Sequence, residues 1–212
     1  MRLLIDPLHP EPAILARAAA MLRSGGLVAC PTETFYALAA DPRNPAAVER
    51  VFFVKGRPDR QPLPILASEE AALRACVAEF PAAAARLAER FWPGPLTLVL
   101  RSAPDLTGPL TGGGPTIGIR VSPHPVAAAL SRLLGGPIVA TSANRSGQVP
   151  PATALEVERS LGDAVDLILD AGPCAGGSAS TVVDLDADPP RLIRSGAVPV
   201  GSIVEVLGRT LG

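Results

Sequence analysis

The pattern that most restricts this chain is an alternation of short runs rich in Val, Ile and Leu with Ala-rich stretches whose apolar residues recur at helical spacing. Such alternation predicts an α/β fold. Leu3–Ile5 and Leu27–Cys30 read as strands on either side of a helix near Glu11–Arg23, whose end is marked by Ser24-Gly25-Gly26. Further helices are predicted over Pro45–Val54 and Pro81–Phe91, after Ser122-Pro123 through Leu134, and after Ser68 as a cap. Thr153 with Glu156, and Ser202 with Glu205, have capping-box spacing and open two more. Strands are predicted at Leu63–Ala67, Leu96–Leu100, Thr116–Val121, Ile138–Thr141, Leu167–Leu169, Thr181–Leu185 and Leu192–Ile193. The 20 glycines and 24 prolines fall mostly between these elements, which implies long irregular connections at Ser102–Pro115 and Ala171–Ala179.

A chain of 212 residues, 48% hydrophobic and 18% charged, has enough apolar content for a substantial core and is not a disordered charged tail. With no internal repeat or linker, one domain over 1–212 without a separate C-terminal domain is expected. Leu96–Leu100 and Ile138–Ala140 are far shorter than the roughly 18 apolar residues of a membrane helix. The opening MRLLIDPLHP meets Asp6 and Pro7 before a signal-like apolar segment develops. A cytoplasmic location, with no membrane contact, is therefore expected. Three cysteines with no C-x-x-C spacing suggest neither a disulfide framework nor a zinc knuckle. A formal charge of −1 gives no global attraction to nucleic acid, although a local basic cleft stays open as a reading. Aromatic residues, only 3% of the chain, argue against a surface that grips single strands by repeated stacking.

Familiar nucleotide and hydrolase signatures are missing. Gly112-Gly113-Gly114 is followed by Pro115-Thr116 with no Lys, so it is not a P-loop, and no G-x-G-x-x-G precedes a helix. His9 and His124 form no H-E-x-x-H pair, and His124, set between two prolines, is assigned a structural role. No G-x-S-x-G elbow singles out a serine.

Four segments instead put hydroxyl, amide or cationic groups at strand edges. Cys30-Pro31-Thr32-Glu33-Thr34-Phe35-Tyr36 joins two hydroxyls and a carboxylate, and a capped helix start explains it as well as a ligand does. Lys55-Gly56-Arg57-Pro58 ends a helix, where the dipole favours cations in any protein; the rigid Gly-Pro spacing also suits two donors aimed at oxyanions. Thr141-Ser142-Ala143-Asn144-Arg145-Ser146-Gly147 is dense in small donors that could surround a phosphate. Ser180-Thr181-Val182-Val183-Asp184, with Arg194-Ser195-Gly196 beyond it, adds another cation. Their summed chemistry fits a polyphosphate and a small zwitterion better than an apolar ligand.

The sequence resembles the Sua5/YrdC/TsaC family of threonylcarbamoyl-adenylate synthases, in its lone-domain form. The resemblance rests on Pro31–Leu38, Lys55–Pro58, Phe91–Thr97, Thr116–Arg120, Ser142–Gly147, and Ser180–Asp184 followed by Arg194–Gly196, in family order over about residues 11–200. It implies a YrdC-like α/β fold, a twisted open mixed sheet flanked by helices around a positively lined cavity. It also implies a nucleotidyltransferase that converts L-threonine, bicarbonate and ATP to threonylcarbamoyl-AMP and pyrophosphate, with Mg²⁺ on the ATP phosphates rather than in a protein site. Downstream tRNA threonylcarbamoyl transferase proteins would then modify adenosine 37 of tRNAs reading codons that begin with A. By the same resemblance Thr32, Ala140 and Ser180 hold threonine. Lys55, Arg57, Thr116, Arg120, Ser142, Asn144 and Arg194 surround ATP, Lys55 and Arg57 being the catalytic cations. Ala37 stands where the family often has Gly, Leu66 at a position that is His in longer members, and Ala179 where a Glu is common. Lys55→Ala is expected to cut pyrophosphate release while sparing the fold. The alternative is a non-catalytic module for double-stranded RNA or ribosome assembly using the same basic cavity, and contact with tRNA stays open under either reading.

Overall fold

The computed structural model describes residues 1–56, 61–106 and 108–212. Strands and helices alternate along them, in keeping with the α/β expectation, and the strands divide into two mixed sheets. Numbered in chain order, the first sheet holds β1 (Arg2–Leu4), β2 (Val28–Cys30), β3 (Ala37–Ala39), β8 (Thr141–Ser142) and β9 (Leu167–Asp170), arranged β1-β9-β2-β3-β8. The second holds β4 (Ile65–Ala67), β5 (Leu96–Arg101), β6 (Thr116–Val121), β7 (Ile138–Val139), β10 (Thr181–Asp184) and β11 (Arg191–Arg194), arranged β11-β10-β5-β6-β4-β7. The helices are α1 (Pro12–Arg23), α2 (Pro45–Lys55), α3 (Glu70–Arg74), α4 (Ala82–Phe91), α5 (Pro125–Leu134), α6 (Ala154–Leu161) and α7 (Val200–Leu207).

Period-2 alternation in the second sheet creates the site. Leu96, Leu98 and Leu100 of β5 and Ile117, Ile119 and Val121 of β6 are buried in a core shared with α2, α4, α6 and α7. Thr97 and Val99, with Thr116, Gly118 and Arg120, point from the same strands to the opposite face, which lines a cavity. Each fully buried Leu or Ile contributes about 2 kcal/mol, so Leu98→Ala, which also leaves a void, costs about 3 kcal/mol. A second core joins α1 and α5 to Val28 and Cys30 of β2, Ala37 and Ala39 of β3, and Leu66 and Ile138.

Several local expectations need correction. The predicted strand Ile138–Thr141 breaks at Ala140: β7 pairs with β4, while β8 pairs with β3 in the other sheet. The bend is held by the Ala140 amide on Pro64 O and the Ala143 amide on Tyr36 O, each at 2.9 Å. The helix expected from Ser122-Pro123 starts at Pro125, where His124 Nδ1 accepts the Val126 amide at 3.3 Å. Ser122 Oγ donates to Glu33 at 2.5 Å and accepts the His124 amide at 3.2 Å, so it holds the residue ahead of the helix rather than its first turn. Ser68 does not cap α3, whose first turn has no side-chain cap, and its amide donates to Ser131 Oγ at 3.2 Å. Ser202 lies inside α7, which begins at Val200 after Pro199 without a side-chain cap. The Thr153–Glu156 capping box forms as expected, with both reciprocal bonds in place.

Candidate functional site

Residues 31–36 lead into no helix. They turn the chain back so that β2 and β3 pair antiparallel, Cys30 opposite Ala37. Thr32 organises the turn: its hydroxyl donates to Phe35 O at 2.7 Å and accepts the amides of Thr34 and Phe35 at 3.2 and 3.3 Å. Tyr36 fixes the turn from below, donating to Gly172 O at 2.7 Å and accepting the Ala171 amide at 3.2 Å. Burial pushes its phenol well above the usual tyrosine range.

From this turn the Glu33 carboxylate crosses to the second sheet. One oxygen accepts the Arg120 guanidinium and the other accepts Ser122 Oγ. Arg120 is buried, and burial lowers its pKa while Glu33 opposes that shift; the carboxylate supplies the counter-charge that a buried guanidinium needs. The pair ties the two sheets together at one end of the cavity.

At the other side, Arg194 donates to Ser180 O through Nε and Nη2 (3.1 and 2.8 Å) and to Ser180 Oγ through Nη2 (3.0 Å). Gly196 makes this approach possible, since a Cβ there would lie 2.2 Å from Ala179 O. The Arg194 pKa is lowered first by desolvation and then by repulsion from Arg120. Both guanidinium groups line the same space.

That space is a cavity of about 530 Å³ between the two sheets, within the usual range for small-molecule pockets. The structure brings Thr32, Ala140 and Ser180 onto its wall, and likewise Thr116, Arg120, Ser142 and Arg194. Lys55 and Asn144 are not on that wall. Arg57 lies outside the described residues, as do Pro58, Asp59 and Arg60.

Lys55 is 2% exposed, and its ammonium donates to the carbonyls of Ser142 and, at 2.8 Å, of Asn144. The Lys55 carbonyl accepts the Ser146 amide at 2.9 Å. Asn144 Nδ2 donates to Arg145 O and Gln148 O at 3.0 and 2.7 Å, and its buried Oδ1 has no partner among the described residues. Much of the polarity of the 141–147 loop is thus used to hold the loop's own shape. The expectation that Lys55→Ala spares the fold is corrected on this ground, because the substitution would leave buried carbonyls without their donor.

Sequence reading missed several wall residues. Asp184 faces the cavity two residues beyond Val182 and four beyond Ser180, and it accepts Arg191 Nη2 at 3.2 Å. The period-2 repeat from Ser180 was the signal for it. Thr34, Thr97 and Gly118 also line the wall, as does Ala37, while Leu66 lies in the helical core and is not on the wall. Among the described residues, no group of three or more His, Cys, Asp or Glu side chains is placed to hold a metal ion, and no helix is long and apolar enough to cross a membrane.

Comparison with known proteins agrees with this architecture. Residues 20–196 match the Sua5_yciO_yrdC family model, described as telomere recombination. A threonylcarbamoyl-AMP synthase of Pyrococcus abyssi is 42% identical over 90% of this chain and 56% of its own length. A putative threonylcarbamoyl-AMP synthase of Mycobacterium tuberculosis is 38% identical over 96% of this chain and 93% of its own. The crystal structure of P. abyssi Sua5 complexed with L-threonine superposes with a TM-score of 0.95 at 38% identity, covering 100% of this chain and 62% of that one. The chain thus spans less than two thirds of the P. abyssi relative and resembles its fold throughout that part. On the match of the family model and the identity of these relatives, the chain belongs to the Sua5/YciO/YrdC family.

Proposed function

We propose that this protein is a threonylcarbamoyl-AMP synthase, a nucleotidyltransferase that joins L-threonine, bicarbonate and ATP into threonylcarbamoyl-AMP and releases pyrophosphate. The observation that carries the reading is one cavity whose wall holds Arg120, paired with Glu33, and Arg194, held on Ser180, together with Thr32, Ser142 and Ser180. Guanidinium and hydroxyl donors on one wall suit an anionic ligand, and threonine and ATP together supply a carboxylate and a polyphosphate. Relatives named for this activity, and a related Sua5 crystallised with L-threonine, support the same reading.

In the proposed reaction the threonine amine takes up the carbon of bicarbonate, with loss of water, to give N-carboxythreonine. An oxygen of the new carboxylate attacks the α-phosphorus of ATP, and pyrophosphate departs. Carbamates lose carbon dioxide readily in water, so the main service of the protein is to enclose the intermediate beside the nucleotide. Thr32, Ala140 and Ser180 would hold threonine. Thr116, Arg120, Ser142 and Arg194 would face the nucleotide, with Lys55 and Asn144 supporting the loop behind Ser142 and Arg57 as a further cation. Mg²⁺ would arrive on the ATP phosphates and offset their growing charge. The product would pass to the transferase proteins that modify adenosine 37 of tRNA, in the cytoplasm where ATP and tRNA meet.

The test is incubation with labelled bicarbonate, threonine and ATP. Labelled threonylcarbamoyl-AMP that requires all three supports the proposal. Salt-sensitive binding of double-stranded RNA with no nucleotide product would replace it with the RNA-module reading.

A further inference from the structure

Thr97 lines the same cavity as Ser180 and Arg194. It lies on β5 opposite Val182, next to the segment that carries Ser180, and is 5% exposed. Its Oγ1 is 3.0 Å from Ser180 Oγ. On the other side its methyl lies over Gly118, where an added Cβ would be 3.2 Å from Thr97 Cγ2 and 3.5 Å from Pro64 Cβ. Thr97 is β-branched and stiff at χ1; with the methyl seated over Gly118, its hydroxyl is aimed at Ser180.

The protons can then be followed. Arg194 has donors and no acceptor, so its Nη2 contact with Ser180 Oγ uses one acceptor site of that oxygen. Among the described residues Ser180 is the one hydrogen-bond partner of the Thr97 hydroxyl. A buried hydroxyl keeps its proton bonded, and the Thr97 proton meets that requirement by pointing at Ser180 Oγ. Ser180 then accepts from both Arg194 and Thr97, and its own proton is left to point into the cavity.

We propose that Thr97 is a positioning residue: it donates to Ser180 Oγ and thereby makes Ser180 a committed donor to the α-carboxylate of the amino-acid substrate. This rests on the assignment of threonine to the Ser180 side of the cavity. Without the Thr97 hydroxyl, Ser180 is free to rotate, and its proton is no longer held toward the ligand. Turnover of bound substrate need not change, because Thr97 itself touches no reacting atom.

Two substitutions separate the hydroxyl from the methyl. Thr97→Val keeps the group over Gly118 and removes the donor; Thr97→Ser keeps the donor and removes the methyl. Threonine binding is measured by calorimetry on the full chain, alongside KM and kcat. Thr97→Val should weaken threonine binding and raise its KM about 5-fold with kcat little changed, the size of one lost neutral hydrogen bond. Thr97→Ser should stay near wild type. In a Ser180→Ala background Thr97→Val should add nothing further. A larger loss from Thr97→Ser than from Thr97→Val, or full additivity with Ser180→Ala, would overturn the inference in favour of simple packing. So would wild-type affinity in Thr97→Val. A wild-type protein that binds no threonine overturns the functional reading first, and the inference with it; binding without turnover overturns the synthase activity alone.

Discussion

Lys55, at the C-terminal end of α2, gives its ammonium to the carbonyls of Ser142 and Asn144, whereas Arg120 and Arg194 of the second sheet reach the cavity wall. All three were read from sequence as cations for ATP. The difference shows that a polar, cation-rich loop can be polar for its own sake. Backbone carbonyls of Ser142 and Asn144 take the Lys55 ammonium, the Lys55 carbonyl takes the Ser146 amide, and of residues 141–147 only Thr141 and Ser142 line the cavity. On a strand the same question is settled by parity, because alternate side chains must face opposite ways.

The comparison breaks most visibly at Lys55. Lys55→Ala should lower stability by about 4 kcal/mol in urea unfolding, because two buried carbonyls lose a charged donor, and turnover should fall with it. An unchanged unfolding midpoint would mean that the ammonium does not shape the loop. Glu33→Gln comes next, since it leaves the buried Arg120 without its counter-charge. It should cost about 3 kcal/mol, read by the same unfolding curve, and a loss under about 1 kcal/mol would show that Arg120 does not need it. Arg194→Ala sharpens the contrast from the other side. The residue sits exposed at the cavity rim, so stability should stay within about 1 kcal/mol of wild type, while the KM for ATP or threonine should rise roughly 30-fold. Equal KM values for wild type and variant would remove Arg194 from the ligand surface.

The smallest effect is chemical. Desolvation pushes the Cys30 thiol up to about 12 and the Cys174 thiol up to about 11, and raises that of Cys76 as well. Only about one Cys174 in a thousand is then a thiolate at pH 8. Because the folded pKa values lie above the unfolded one, thiol labelling at pH 8 should be slow in the native protein and fast for all three cysteines after unfolding. A rapid native phase would mean that the wall behind Thr32 is wetter than its burial implies.

How much of this was legible in the sequence follows from where the signals lie. Strand β6 was read at its observed ends, Thr116–Val121, and α1, α2 and α4 to within a residue, because apolar period and flanking Pro or Gly agree there. Strand β3 was missed: Ala37-Leu38-Ala39 has no β-branched residue, and it is a strand because β2 and β8 pair with it. The split of Ile138–Thr141 between two sheets was equally hidden, since a continuous apolar run carries no sign of which neighbour each half will find. Of the site, the segments were legible but their internal bonding was not. The role of Ser122 depends on Glu33, which comes from the turn between two strands of the other sheet. Thr97 and Asp184 were within reach of strand parity once Ser180 was placed beside them.

The proposed synthase reaction requires one cavity to bring a carboxylated amino acid against the innermost phosphate of ATP. ATP labelled at the α-phosphorus, followed with and without threonine and bicarbonate, tests it most directly. The label should move into threonylcarbamoyl-AMP, with pyrophosphate released only when both co-substrates are present. Label recovered in ADP with release of phosphate, or the same cleavage without threonine, would contradict it.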